Sequence, residues 1–165
     1  MATGKIHAHE KSLELRSVGS VDVGVSVQDA VNDFLQTVRV KYLSPRTQEE
    51  YLYELHVFAQ WCAQKRVVQN SITKQWSVDL GETLLHQVND QVVYLYLEHL
   101  KVTHKPKIRM GIIISSCTLA SYVRVIKTFL NWCMLDEYYG QHVKSVTIQR
   151  IKKPRVIRRP METFS

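Results

Sequence analysis

The sequence predicts an all-α fold: a small bundle of four to five helices, with a flexible tail before it and a basic linker after it. Three observations carry that prediction. Four segments place apolar residues at the spacing of one helix face, each opens on a residue suited to capping, and two of them repeat one another at an offset of 71 residues. The 165 residues, 45% hydrophobic and 22% charged, suffice for one domain with a core of its own.

Residues 1–24 show no period and carry Gly4, Gly19 and Gly24, as a mobile tail does; His7 and His9 there read as incidental rather than as metal ligands. The first helix starts at Ser26, a capping residue with Asp29 three positions on, and Val27, Val31, Phe34, Leu35 and Val38 form its buried stripe. It ends near Lys41, where Arg39 and Lys41 suit the negative end of the helix dipole. Ser44-Pro45 starts the second helix, a cap followed by proline at the first helical position. Its stripe is Tyr51, Leu55, Phe58, Ala59 and Cys62, running to about Gln64.

Residues 65–88 mix Val67, Val68, Ile72 and Trp76 with polar residues, and Gly81 breaks any long helix. A connection of that length calls for structure of its own, a short hairpin or an extra helical turn. Asn89 caps a third helix with Val92, Val93, Leu95, Tyr96 and Leu100. A basic loop follows with Lys101, Lys105, Lys107 and Arg109, and the β-branched run after Gly111 predicts an extended approach to the next helix. The fourth helix starts at Ser115 or Ser116, with Leu119, Val123, Ile126, Phe129, Leu130 and Cys133 on its apolar face. After Gly140 the chain turns basic. The predicted domain is therefore 25–143 and the predicted linker 144–165; within the linker, 144–159 holds seven cations and no acid.

The repeat links the second and fourth helices. Ser44, Thr47, Tyr51, Phe58, Trp61 and Cys62 fall on Ser115, Thr118, Tyr122, Phe129, Trp132 and Cys133, all at one spacing. A shared helical period accounts for matching apolar positions, but not for matching Ser-x-x-Thr starts and Trp-Cys ends.

Charge divides the chain. Residues 1–100 carry 9 Lys and Arg against 12 Asp and Glu, and residues 101–165 carry 13 against 3. A basic half of that kind suits a polyanion or a solvated basic surface. No apolar run approaches the roughly 20 residues of a membrane-spanning helix, and the first ten residues have no signal-peptide character. Cys62, Cys117 and Cys133 form no Cys-x-x-Cys pair, and two of them lie in apolar helical patterns as reduced core thiols do, which predicts a cytoplasmic protein. No metal-ligand spacing, glycine-rich phosphate loop or acid–base pair occurs, so neither enzyme activity nor a cofactor or metal is predicted.

The helix starts point to phosphate. A helix N-terminus presents unpaired amides and a positive dipole end, and Thr47, Ser116 and Thr118 add hydroxyl donors beside them, with Arg46 supplying charge. Arg124, Lys127 and Asn131 sit at i, i+3 and i+7 on one face; Arg and Lys suit phosphates or guanine edges, and Asn suits adenine. Lys152 and Lys153 add cations in the linker. Glu49, Glu50 and Glu54 on the second helix repel phosphate unless they point away, so its contacts are expected at its N-terminal turn.

These residues resemble the N-terminal, core-binding domain of tyrosine recombinases of the phage-integrase type. The resemblance is carried by Leu43-Ser44-Pro45-Arg46-Thr47 with Tyr51, Leu55, Phe58 and Trp61, then by Ser116, Thr118, Ile126, Lys127, Phe129 and Trp132, and by Asp136-Glu137-Tyr138 before the basic stretch. It spans roughly 25–165. It implies a small orthogonal, SAM-like helical bundle that forms half of a C-shaped clamp and lays two helices near the major groove of double-stranded DNA. Arg46, Thr47, Thr118, Arg124 and Lys127 would then lie near DNA, and the linker would lead to a catalytic domain of the same parent protein, with other recombinase protomers as further partners on DNA. The connections at 65–88 and 101–115 are longer than that family's usual ones. Its catalysis needs two arginines, a lysine, histidine-type residues and a tyrosine nucleophile. No His-x-x-Arg occurs here, and the sequence ends at Phe164-Ser165 where the resemblance places the start of the cutting domain, so no catalytic residue is expected. A rival reading is a helical protein-interaction bundle whose basic tail has no direct role on DNA.

Overall fold

Ser26 accepts a hydrogen bond from the Asp29 amide at 3.1 Å and starts α1 (Val27–Val40), which buries Val27, Ala30, Val31, Phe34, Leu35 and Val38 along one stripe. Ser44 does the same for the Thr47 amide at 3.2 Å and starts α2 (Pro45–Gln64). The two helices lie closely apposed as a hairpin. Residues 24–41, 44–103 and 114–154 of the chain are described in this computed structural model. The tail through residue 23, the basic loop at 104–113 and the chain from 155 onward, each with a predicted role above, lie outside the described residues.

The segment after α2 is a β-hairpin, β1 (Lys65–Gln69) and β2 (Trp76–Leu80), antiparallel with Lys65 opposite Leu80 and Gln69 opposite Trp76. Asn70 builds its turn: the side-chain carbonyl accepts from the amides of Ile72 and Thr73, and Lys74 takes φ 60°. Gly81 closes it at φ 155°, where a Cβ would stand 2.9 Å from Cβ of Arg66. Thr83 then sews the return strand to the end of α2, its amide donating to Cys62 O and its hydroxyl to Lys65 O, both at 2.7 Å. Leu84 pairs with Ser26, and a single 3-10 turn at Leu85–Gln87 leads to Asn89, which caps α3 (Asp90–Thr103).

Ser115 starts α4 (Ser116–Leu135) by accepting from the Thr118 amide at 3.1 Å. Asp136 ends the helix, and its carboxylate accepts from the amides of Tyr138 and Tyr139. That turn carries the buried Tyr139 beneath α1, where its hydroxyl donates to the Asp33 carboxylate. A last short helix, α5 (Ser145–Arg150), packs on α3 and α4 and buries Ile148, with Ile151 after it. Five α-helices and one two-stranded sheet therefore surround one hydrophobic core among the described residues.

The repeat is realised in three dimensions. The bounds of α2 and α4 correspond at the 71-residue offset, Pro45 with Ser116 and Gln64 with Leu135. It also reaches the first helix of each half. Ala30, Val31, Phe34, Leu35 and Val38 correspond to Val92, Val93, Tyr96, Leu97 and Leu100 at an offset of 62, and all ten are buried. The aromatic packing follows the same rule. Phe34 lies 5.7 Å from Phe129, 5.5 Å from Trp132 and 6.1 Å from Tyr51 between ring centroids. Tyr96 lies 5.0 Å from Phe58, 5.4 Å from Trp61 and 6.3 Å from Tyr122. Each half thus inserts one aromatic ring against the Phe–Trp pair of the other, and the two halves share a core neither could close alone.

Three predictions are corrected. The fold is not purely helical, because 65–80 holds the hairpin. The core does not stop at 143 either: the predicted linker begins with α5, whose apolar residues outweigh the basic composition around them. Lys101, predicted on the basic loop, belongs to the last turn of α3 and pairs with Glu98 at 2.7 Å.

Candidate nucleic-acid interface

The two long helices meet at equivalent positions of the repeat. Ser121 of α4, which corresponds to Glu50 of α2, lies with its hydroxyl 2.7 Å from Glu50 Oε1. The contact point is six residues beyond each N-cap, about 9 Å along either helix at roughly 1.5 Å per residue. The N-terminal turns of α2 and α4 therefore flank this crossing in matching ways.

Each turn is built alike. Ser44 Oγ accepts the Thr47 amide and lies 2.8 Å from Thr47 Oγ1; Ser115 Oγ accepts the Thr118 amide and lies 2.9 Å from Thr118 Oγ1. Each hydroxyl pair holds two hydrogens and uses one between its members, which keeps the other for an outside acceptor. Ser44, Arg46 and Ser115 are exposed, and Thr47, Ser116 and Thr118 half-buried.

Beside each start lies a cleft, and the two clefts also correspond. Leu35, Arg39 and Gln48 line the first; Leu97, Lys101 and Leu119, their counterparts, line the second. Each cleft also carries an acid, Glu49 in the first and Glu98 in the second. Lys152 and Lys153 complete the second, held there because the Tyr94 hydroxyl donates to Arg150 O at 3.1 Å and accepts from the Lys152 amide at 3.2 Å. The structure thus brings Lys152 and Lys153 to the cleft that Leu119 of α4 lines, through contacts with Tyr94 that residue spacing did not reveal.

The predicted face of α4 fares differently. Arg124 is exposed, but its guanidinium donates to Glu50 Oε1 at 3.0 Å, so it is half of an ion pair across the crossing. Lys127 is half-buried and Asn131 exposed on the turns that follow. Glu50 therefore does not point away from the predicted phosphate-binding face, whereas Glu54 does. Glu54 is 8% exposed, with Oε1 3.0 Å from Ser121 Oγ and Oε2 without a hydrogen-bond partner. Burial pushes its carboxyl up to about 7, opposed by the Ser121 hydrogen bond, raised further by Glu50 and lowered by Arg124. Ser121 is the site residue that sequence reasoning missed, and Glu50 and Glu54, read there only as repelling phosphate, meet it at the crossing; the signal was that Ser121 matches Glu50 in the repeat.

Among the described residues no three His, Cys, Asp or Glu side chains cluster as metal ligands would, and no helix is long and apolar enough to cross a membrane. No family model, curated protein or solved structure matches the chain.

Proposed function

We propose that the chain is the DNA-binding module of a site-specific tyrosine recombinase, a SAM-like orthogonal bundle that clamps one face of the recombination core site and serves DNA integration and recombination. The observation that carries this reading is the helix start built twice, Ser44 with Thr47 and Ser115 with Thr118, on two helices that cross between them. Helix geometry limits the separation of these starts to about 20 Å, a scale that matches phosphates flanking a major groove of about 12 Å width. Lys152 and Lys153 beside the second start, and Arg46 at the first, supply the cations that backbone contacts use. The chemistry of strand breakage is assigned to a catalytic domain of the same parent protein, and further protomers on DNA are its other partners.

Fluorescence anisotropy against duplex DNA tests the reading. Affinity falls steeply with salt, by a log–log slope of roughly 0.9 for each phosphate neutralised. Binding that ignores salt, or none at low ionic strength, overturns it. A second reading, a protein-interaction bundle, draws on the hairpin, where Ile72 and Leu80 stand 89% and 81% exposed. Charge reversal at Arg124 and Lys127 separates the two: it abolishes duplex binding under the first reading and leaves it unchanged under the second.

A further inference from the structure

The hydrogens at the helix crossing do not add up if both acids are ionised. Ser121 has one hydroxyl hydrogen, and two carboxylate oxygens lie within reach of its oxygen, Glu50 Oε1 at 2.7 Å and Glu54 Oε1 at 3.0 Å. With both groups charged, one of these contacts sets lone pair against lone pair. A proton on Glu54 removes the conflict: Glu54 donates to Ser121, Ser121 donates to Glu50, and Glu50 accepts from Arg124. The proton belongs on Glu54 because Glu50 already has the guanidinium at 3.0 Å and a 34% exposed side chain, whereas Glu54 is buried with one bare oxygen. A neutral acid tolerates a bare carbonyl oxygen far better than a carboxylate does.

We infer that Glu54 is a neutral acid acting as a positioning residue, fixing the Arg124 guanidinium at the crossing through Ser121 and Glu50. The groups around it agree. From α2 come Glu50 and Tyr53, from α3 the buried Tyr96, whose hydroxyl also has no partner, and from α4 Ser121, Tyr122 and Arg124. Among the described residues, Arg124 is the cation that acts on Glu54, and Glu50 already holds it. Burial raises the Tyr96 and Tyr122 hydroxyls beyond any physiological titration. When Glu54 loses its proton, a second negative charge faces Glu50 and Ser121 loses one of its bonds. The crossing then loosens, and the added charge opposes any phosphate approaching Arg124. This last step rests on the DNA-binding reading; the proton on Glu54 does not.

Carbon-13 NMR of the glutamate carboxyls in the full chain tests the proton directly. One resonance, absent in Glu54→Gln, titrates near neutrality and shifts its midpoint in Ser121→Ala; if every glutamate finishes titrating below about pH 5.5, the inference is overturned. Urea unfolding supplies the positioning readout. Glu54→Gln keeps the shape and a donor toward Ser121 at every pH, so its midpoint gains on that of the wild type as pH rises from about 5.5 to about 8.5. An equal offset at both pH values overturns the inference, and if this variant fails to fold, the wild-type carboxyl titration decides alone. Duplex affinity of the wild type falls between the same pH values more than that of Glu54→Gln. An equal fall overturns the link to Arg124, whereas no duplex binding at either pH sinks the DNA reading and leaves the carboxyl titration to judge the proton.

Discussion

The half made of α1 and α2 and the half made of α3 and α4 bury the same five positions on their first helices and start their second helices on the same Ser-x-x-Thr. Outward they differ. The first half has a short connection between its helices, an acidic α2 surface and an open cleft carrying Glu49 beside Arg39. The second has a cleft crossed by Lys152 and Lys153 and backed by α5. The core is therefore a duplicated solution, while the pair of lysines that would favour a polyanion stands beside one copy. A fold can hold its packing rule constant and vary function at the rim, since rim residues contribute little to stability.

The largest expected effect tests the duplication itself. Phe58→Ala and Phe129→Ala each remove a fully buried ring from equivalent positions and cost about 3–5 kcal/mol by urea unfolding. A cost confined to one of them breaks the equivalence of the halves. Ser44→Ala and Ser115→Ala each lose a cap worth about 1 kcal/mol, and similar losses sharpen the comparison. Tyr96→Phe, in contrast, is near neutral or stabilising, because the hydroxyl it removes is buried without a partner; thermal unfolding reads it against its counterpart Phe34, which already lacks that hydroxyl. On DNA, Lys152→Ala with Lys153→Ala reduces the salt slope by about 2, and Arg46→Ala by about 1. Equal slopes for the two variants would erase the predicted bias toward the second half. Arg124→Ala costs little stability, about 0.2–1 kcal/mol by urea unfolding for a partly exposed ion pair.

The helices were legible because their signals are local. Ser26, Ser44, Asn89 and Ser115 announced the four main starts, and buried residues at helical spacing announced the faces. The hairpin was legible only as one of two options for 65–88, since β2 is mostly exposed, β1 only half-buried, and neither shows the full alternation of a half-buried strand. Its determinants, the side chain of Asn70 and the backbones of Lys74 and Gly81, are turn chemistry. The helix at 145–150 hid for another reason: Val143, Ile148 and Ile151 are its anchors, and seven neighbouring cations masked three apolar residues. At the candidate site the helix starts were visible from Ser-x-x-Thr. The pairing of Arg124 with Glu50 was not, because it joins residues 74 apart in sequence through a crossing that only the fold creates.

Cys62 and Cys133 give the duplication a use in measuring motion. They occupy equivalent positions, both are fully buried, and burial raises both thiols, so neither reacts until its surroundings open. Cys117 is exposed and reacts first, serving as the internal standard. The labelling rates of the two buried thiols under native conditions thus report the opening free energy of each half separately. Matched rates mean that the halves breathe as one cooperative unit; a faster thiol marks the half that leaves the shared core first.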